Sequence, residues 1–354
     1  MIVYLIALVV AVVAMIVVWK KLNRRSFDFS EYNKKSLFDT KEQIAKIAQT
    51  TPVIKPKEEK IKQIDILKAL KFQSDILFEE CGKNDSSIFI NFPDQMPRIY
   101  GSNIINISNA IYDICQFFLQ NIKEPVFLKI EFGTPEIKKI AQNVKFTINI
   151  GVDKELKGTY INTMKTVFAS GKKINDQYLL SAQNHLNNTS SIINFNNNKA
   201  GTYIQITTSA TFFEGKNELL GKRYKYHVLI AHKTREVFDD LRAFFASVGC
   251  DVVPNPSWEN TQNHLNDMIY SPDFVVIDAE YLRTDSNIVN YLNSINKDEI
   301  SFAFLCKNNN SAKALAGLNF NFFRLNMPYF HDELYAILEL TKHIKTDKNF
   351  LDFE

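Results

Sequence analysis

From Ile2 to Trp19 the chain carries eighteen consecutive residues with no charge, proline or glycine. As a helix rising about 1.5 Å per residue, such a run reaches ~27 Å, enough to cross the hydrocarbon core of a bilayer. Lys20, Lys21, Arg24 and Arg25 follow at once. A basic cluster flanking an apolar span stays on the cytoplasmic side. A cleavable signal would place its charges before the run and small residues after it, and neither occurs here. The pattern therefore predicts a single transmembrane anchor over 1–19 with the body inside the cell. Residues 20–60 are polar, alternate in charge and end in TTPVIKPKEEK, the composition of a linker with some helical character.

Apolar positions then recur at three- and four-residue spacing in IKQIDILKALKFQSDILFEEC, predicting an amphipathic helix from Ile61 to Cys81. SSIFINF reads as a strand, and a strongly apolar helix is expected from Ser102 to Gln120. VFLKIEF and VKFTINI alternate like two strands of a hairpin, as do TSSIINFN and GTYIQITTSATFF later on. Residues 61–215 are thus expected to form an α+β domain.

The rhythm changes at Tyr226. Short apolar strands (HVLIA, DVVP, DFVVIDA, ISFAFLC, FNFFRLN) alternate with amphipathic segments, beginning with TREVFDDLRAFFASVG, where Gly249 is the expected helix stop. Five β/α units predict an α/β domain over 224–346 with a doubly wound, flavodoxin-like parallel sheet, followed by a tail at 347–354.

Composition narrows the choice of function. The chain is 45% apolar and 23% charged, as globular proteins are, and its net charge of +3 comes from the stretch before residue 60. No basic surface for nucleic acid is expected. Cys81, Cys115, Cys250 and Cys306 are scattered and the histidines are unclustered, which argues against a disulfide framework or a zinc site.

On its order of elements, the strand DFVVIDA and the Met327-Pro328 dipeptide, the C-terminal half resembles a two-component receiver domain. The resemblance implies a phosphorylatable Asp, an acidic pair for Mg²⁺, a Ser or Thr, and a Lys, because phosphoryl transfer to a carboxylate needs cations around the moving oxygens. Asp278 matches the acceptor. The acidic-pair positions hold His232 and Lys233, the Ser/Thr position falls on or beside Cys306, and the Lys position is Met327. Lys233 is expected to pair with Asp278 where the metal would sit. Asp239 and Asp240, although adjacent, are expected inside the first helix.

More faintly, EECGKNDSSIFINFPDQMPRIYGSNIINISNAIYDICQFF and VFASGKKINDQYLLSAQNHL resemble the ATP-binding GHKL domain of bacterial histidine kinases. The resemblance places Asn109 and Asp153 at ATP-site positions. Glu155 and Lys157 replace the glycines of the adenine-reading turn, no glycine occurs at Gln177 to Leu180, and Ile105 stands where an Asn helps hold Mg²⁺. A helix cap or solvated role is expected for Asn109, and a surface turn for Asp153. No histidine precedes the domain as a phosphoacceptor.

These readings imply a degenerate hybrid histidine kinase: a non-enzymatic, membrane-anchored signalling or assembly adaptor without cofactor or metal, placed at a bacterial inner membrane. Its expected partners are membrane or cytoplasmic signalling proteins, and the apolar run, though it lacks a GxxxG motif, can serve homodimer formation. Two alternatives stand beside it: an atypical active hybrid kinase, and a chaperone or stabiliser of a motility, secretion or chemosensory complex.

Overall fold

The computed structural model describes residues 62–351, apart from 171–175, 215–221, 254–256, 268–271 and 296–299. The expected anchor and linker lie outside these residues. Among the described residues, no helix is long and apolar enough to cross a membrane.

The first lobe runs β1 (Ile64–Asp65), α1 (Ile66–Cys81), β2 (Ser87–Asn91), β3 (Ile99–Tyr100), α2 (Ile104–Asn121), β4 (Phe127–Phe132), β5 (Glu136–Lys138), β6 (Asn143–Val152), α3 (Gly158–Ser170), α4 (Gln177–Asn187), β7 (Ile192–Asn198) and β8 (Gly201–Phe213). Helix α1 starts later than its apolar spacing suggests. Ile64 and Asp65 are taken by strand pairing with β3, and the Asp65 carboxylate caps the helix by accepting from Leu67 N at 2.9 Å. The sheet order is β1-β3-β8-β6-β4-β2, with β5 on β6 and β7 on β8; β2 and β4 are parallel and the other pairs antiparallel. Period-two alternation sends Val144, Phe146, Ile148 and Ile150 of β6, and Ile204, Ile206 and Phe212 of β8, into one core beneath the helices. Lys129 of β4 and Tyr203 of β8 stand at the intervening positions, so they belong to the opposite face.

The second lobe comprises β9 (His227–Ala231), α5 (Arg235–Ser247), β10 (Asp251–Val252), α6 (Trp258–Leu265), β11 (Phe274–Asp278), α7 (Ala279–Thr284), α8 (Ser286–Ser294), β12 (Ser301–Cys306), α9 (Asn309–Lys313), a 3₁₀ turn (Ala314–Gly317), β13 (Phe323–Asn326) and α10 (His331–Leu351). Its five strands are all parallel in the order β10-β9-β11-β12-β13, the doubly wound arrangement. Both faces are covered. Val228, Ile230, Val276 and Leu305 pack on one side, while Leu229, Val275, Ile277, Phe302 and Phe304 pack on the other. That is why these strands read as unbroken apolar runs. Helix α5 ends in a Schellman turn: Gly249, at φ 90°, donates to Ala246 O, and Cys250 donates to Phe245 O, each at 3.0 Å. Helix α10 continues to Leu351, past the expected domain end.

Both lobes belong to one compact unit, Ile61–Glu354. Their cores exchange side chains across the boundary. Phe89 of β2 joins a hydrophobic cluster of the second lobe, with Phe127 packed beside it and Tyr329 at 6.4 Å between ring centroids. Phe330 enters the cluster of the first lobe. Phe78 of α1 is buried with Phe304 and Cys306.

Candidate functional site

In a doubly wound sheet the strand order reverses at one point, and ligands bind at the carboxyl ends of the strands beside it. Here that point lies between β9 and β11, and the sequence-singled residues His232, Lys233 and Asp278 follow or end those two strands. Asp278 is almost completely buried, at 4% exposure. It caps α7, Oδ1 accepting from Glu280 N at 2.9 Å, while Oδ2 accepts from Lys233 N at 3.4 Å.

The surrounding groups are unlike those of a magnesium site. His232 Nδ1 lies 3.0 Å from Thr234 N and 3.2 Å from Thr234 O, and its Nε2 lies 3.8 Å from Asp278 Oδ2. Burial pulls the His232 imidazole below its ordinary pKa, with the Asp278 carboxylate working the other way. An imidazole, held toward its neutral form by burial, therefore faces Asp278. The expected ion pair from Lys233 is not formed. Its ammonium instead donates to Thr284 Oγ1 at 3.3 Å and lies 4.8 Å from the Tyr281 ring centroid. The reason is α7, a helix the apolar spacing did not reveal, which supplies both partners at a solvated edge. Cys306 is fully buried, and burial pushes its thiol up to about 12. Met327, also buried, precedes a cis bond to Pro328 and donates its N–H to Cys306 O at 2.8 Å.

A cavity of about 290 Å³ opens over these residues, and its far wall belongs to the first lobe. His232, Lys233, Asp278 and Met327 line it on one side, and Pro125, Val126 and Phe127 on the other. Glu280 and Lys307 complete the rim. Sequence reasoning missed Glu280, although it stands two residues beyond Asp278; the first-lobe wall carried no local signal at all. Asp240 lies in α5, as expected, where it accepts from Tyr329 Oη at 2.7 Å and faces His331 Nε2 at 3.5 Å. His331 also meets Asp94 of the first lobe at 3.1 Å.

In the first lobe, the two ATP-site candidates are engaged elsewhere. Asn109 Oδ1 accepts from Gln73 Nε2 at 2.8 Å, and Ser108 donates to Gln73 Oε1 at 2.8 Å. This clasp joins α2 to α1, rather than the expected cap or solvated role. Asp153 accepts from Tyr203 Oη and pairs with Lys129, both on the sheet face away from the helices. Lys129 also reaches Glu236 of α5 at 2.8 Å. The adjoining turn is tied down, with Leu156 N donating to Thr202 Oγ1 at 2.9 Å and the Leu156 side chain entering the core. Gln177 to Leu180 form the first turn of α4, capped by Asp176. Ile105 projects outward from α2 at 37% exposure.

No family model and no curated protein matches the chain. Among solved structures, full-length ShkA in complex with AMPPNP is similar at TM-score 0.53 and 11% identity, over 80% of this chain and 58% of that one. The fold is histidine-kinase-like. Shorter matches are the Acinetobacter baumannii histidine kinase AdeS (TM-score 0.32, 11% identity, 54% of this chain and 90% of that one) and the catalytic domain of histidine kinase ThkA (0.33, 10%, 44% and 99%). The chain spans less than two thirds of the length of ShkA.

Proposed function

We propose that this chain is a catalytically silent adaptor of two-component type, tethered by residues 1–19 to the cytoplasmic face of a bacterial inner membrane and acting by binding other proteins. The histidine-kinase-like fold supports the signalling context. The second lobe is read as a pseudo-receiver.

The observation that carries the proposal is the buried His232 imidazole facing Asp278 where a receiver needs a second carboxylate. A hard divalent cation takes oxygen ligands and gains little where an imidazole stands beside Asp278 and the nearby Glu280 is already paired with Arg283 and Lys307. Met327 offers no charge to a phosphoryl group. The residues of the first lobe suit a nucleotide no better. The Asp153 carboxylate is paired with Lys129, and the family's flexible glycines are replaced by Glu155, Lys157 and the helical start of α4.

The test is to incubate the full chain with acetyl phosphate and Mg²⁺, resolve it on a phosphate-affinity gel, and titrate it with Mg-ATP in a calorimeter. Neither phosphorylation nor binding heat is expected. A phosphorylated band that disappears in Asp278→Ala, or saturable ATP binding, would overturn the proposal.

A further inference from the structure

The turn between α1 and β2 enters the second lobe as a finger. Its Asp85 has a backbone φ of 57°, a region Asp tolerates better than most residues. The carboxylate meets three donors of the other lobe: Arg283 Nη2 at 2.8 Å, Lys307 Nζ at 3.2 Å and Asn308 Nδ2 at 3.2 Å. Those donors are oriented by their own lobe. Glu280 Oε2 accepts from Arg283 Nη2 and Nε at 2.7 and 3.1 Å and pairs with Lys307 at 3.2 Å. Asn308 Oδ1 caps α9 by accepting from Asn310 N at 2.9 Å and Ser311 N at 3.2 Å, which turns its amide NH₂ toward the finger. Two cations against one carboxylate leave this cluster with an uncompensated positive charge until Asp85 arrives. Pre-oriented, convergent donors carrying net positive charge are the requirement for holding an oxyanion.

We infer that Arg283, Lys307 and Asn308 form an oxyanion site for a phosphate group, which Asp85 occupies in cis, and that a phosphate-bearing ligand competes with Asp85 for it. A phosphate matches the donor set better than a carboxylate because it brings up to two charges and three acceptor oxygens. Asp85, being tethered, acts at high effective concentration and holds the site against dilute ligand. The finger has other attachments, since Asn308 Nδ2 donates to Ser86 O at 2.9 Å and Asn310 Nδ2 to Gly82 O at 2.8 Å. Loss of the Asp85 side chain therefore vacates the donors without releasing the turn. The site stands beside Asp278 rather than at it, so a phosphorylation assay and a phosphate titration report on different residues.

The test titrates inorganic phosphate into the full chain in detergent micelles, with sodium chloride at matched ionic strength as the blank. Asp85→Gly suits the positive φ, and Asp85→Ser serves as a second variant. Each is expected to bind phosphate at least about tenfold more tightly than the parent chain. Adding Arg283→Gln to either variant should abolish the gain. O-phosphoserine, titrated in parallel, separates the sources: tighter binding than inorganic phosphate marks a phosphorylated protein, and equal binding marks free phosphate. No gain in either variant, or a gain that survives Arg283→Gln, overturns the inference.

Discussion

The two lobes depart from their resemblances in opposite ways. In the second lobe Asp278 ends the central strand and accepts from two backbone N–H groups, beside an imidazole rather than a second carboxylate. In the first lobe Asp153 keeps its place in the sequence, yet its carboxylate is bound to Lys129 and Tyr203 on the far face of the sheet. On the proposed reading, Asp278 keeps a receiver's position with other neighbours, and Asp153 keeps an ATP-site position with another direction. A strand end in a buried parallel sheet fixes a side chain through the backbone register, whereas a turn leaves a side chain free to follow the nearest strong partner. Sites on strand ends should therefore be recoverable by substitution, and sites on turns should not.

The broadest test of the contrast asks whether the lobes unfold separately. Phe146 and Phe304 are each buried within one lobe, and Phe→Ala at either position should cost about 3–5 kcal/mol. Because Phe78, Phe89 and Phe330 cross the boundary, both variants should lower one shared transition in denaturant titrations followed by far-ultraviolet circular dichroism. Two separated transitions would refute the interlocked core.

Next comes the His331 bridge. Burial alone would lower its pKa, but the carboxylates of Asp240 and Asp94 raise it to about 9 from an ordinary 6.5. A group raised on folding contributes its full stability below the unfolded value and loses it as pH climbs through the folded one. Stability should thus fall between pH 6.5 and about 9, by roughly 3 kcal/mol. His331→Gln should flatten that slope in unfolding midpoints measured across the interval.

Reconstruction probes the contrast directly. The triple change His232→Asp, Lys233→Asp and Met327→Lys should give the second lobe measurable Mg²⁺ affinity, worth about 1 kcal/mol of stabilisation at a few times Kd. Restoring turn glycines with Glu155→Gly and Lys157→Gly should produce no Mg-ATP binding, since Asp153 remains on the wrong face. Calorimetry settles both, and nucleotide binding by the glycine variant would sink the comparison.

The smallest effects distinguish a cap from an ion pair. Asp278→Asn should cost about 1 kcal/mol, because the amide oxygen keeps the cap on Glu280 N but leaves Lys233 N without its acceptor. Asp153→Asn removes a charge from a half-exposed pair and should cost up to about 1 kcal/mol. Thermal melts in low and high salt should show salt dependence for the second variant alone.

Periodicity made most of the elements legible. The apolar runs of β9, β11 and β12 and the alternation of β6 and β8 follow directly from which faces are covered, so they leave a mark in local sequence. Helix α7 left none, being six residues long and merged with the strand before it, and it is α7 that draws the Lys233 ammonium away from Asp278. Asn109 was misjudged for a related reason. Its partner Gln73 lies on another helix, and a cross-helix amide clasp has no signature in either segment.

By itself, the sequence determined the order of elements, the identities of the residues at Asp278 and its neighbours, and the apolar run whose spacing predicts an anchor. Those properties depend on neighbours in the chain or on composition. Only the tertiary structure decided that one lobe walls the cavity of the other, that His331 joins Asp94 to Asp240, and that Asp85 fills the donors at Arg283, Lys307 and Asn308. Each of those contacts links residues about 90 to 240 positions apart. Contacts at such separation are set by how two folded surfaces meet, and no local pattern of hydrophobic or charged residues encodes that.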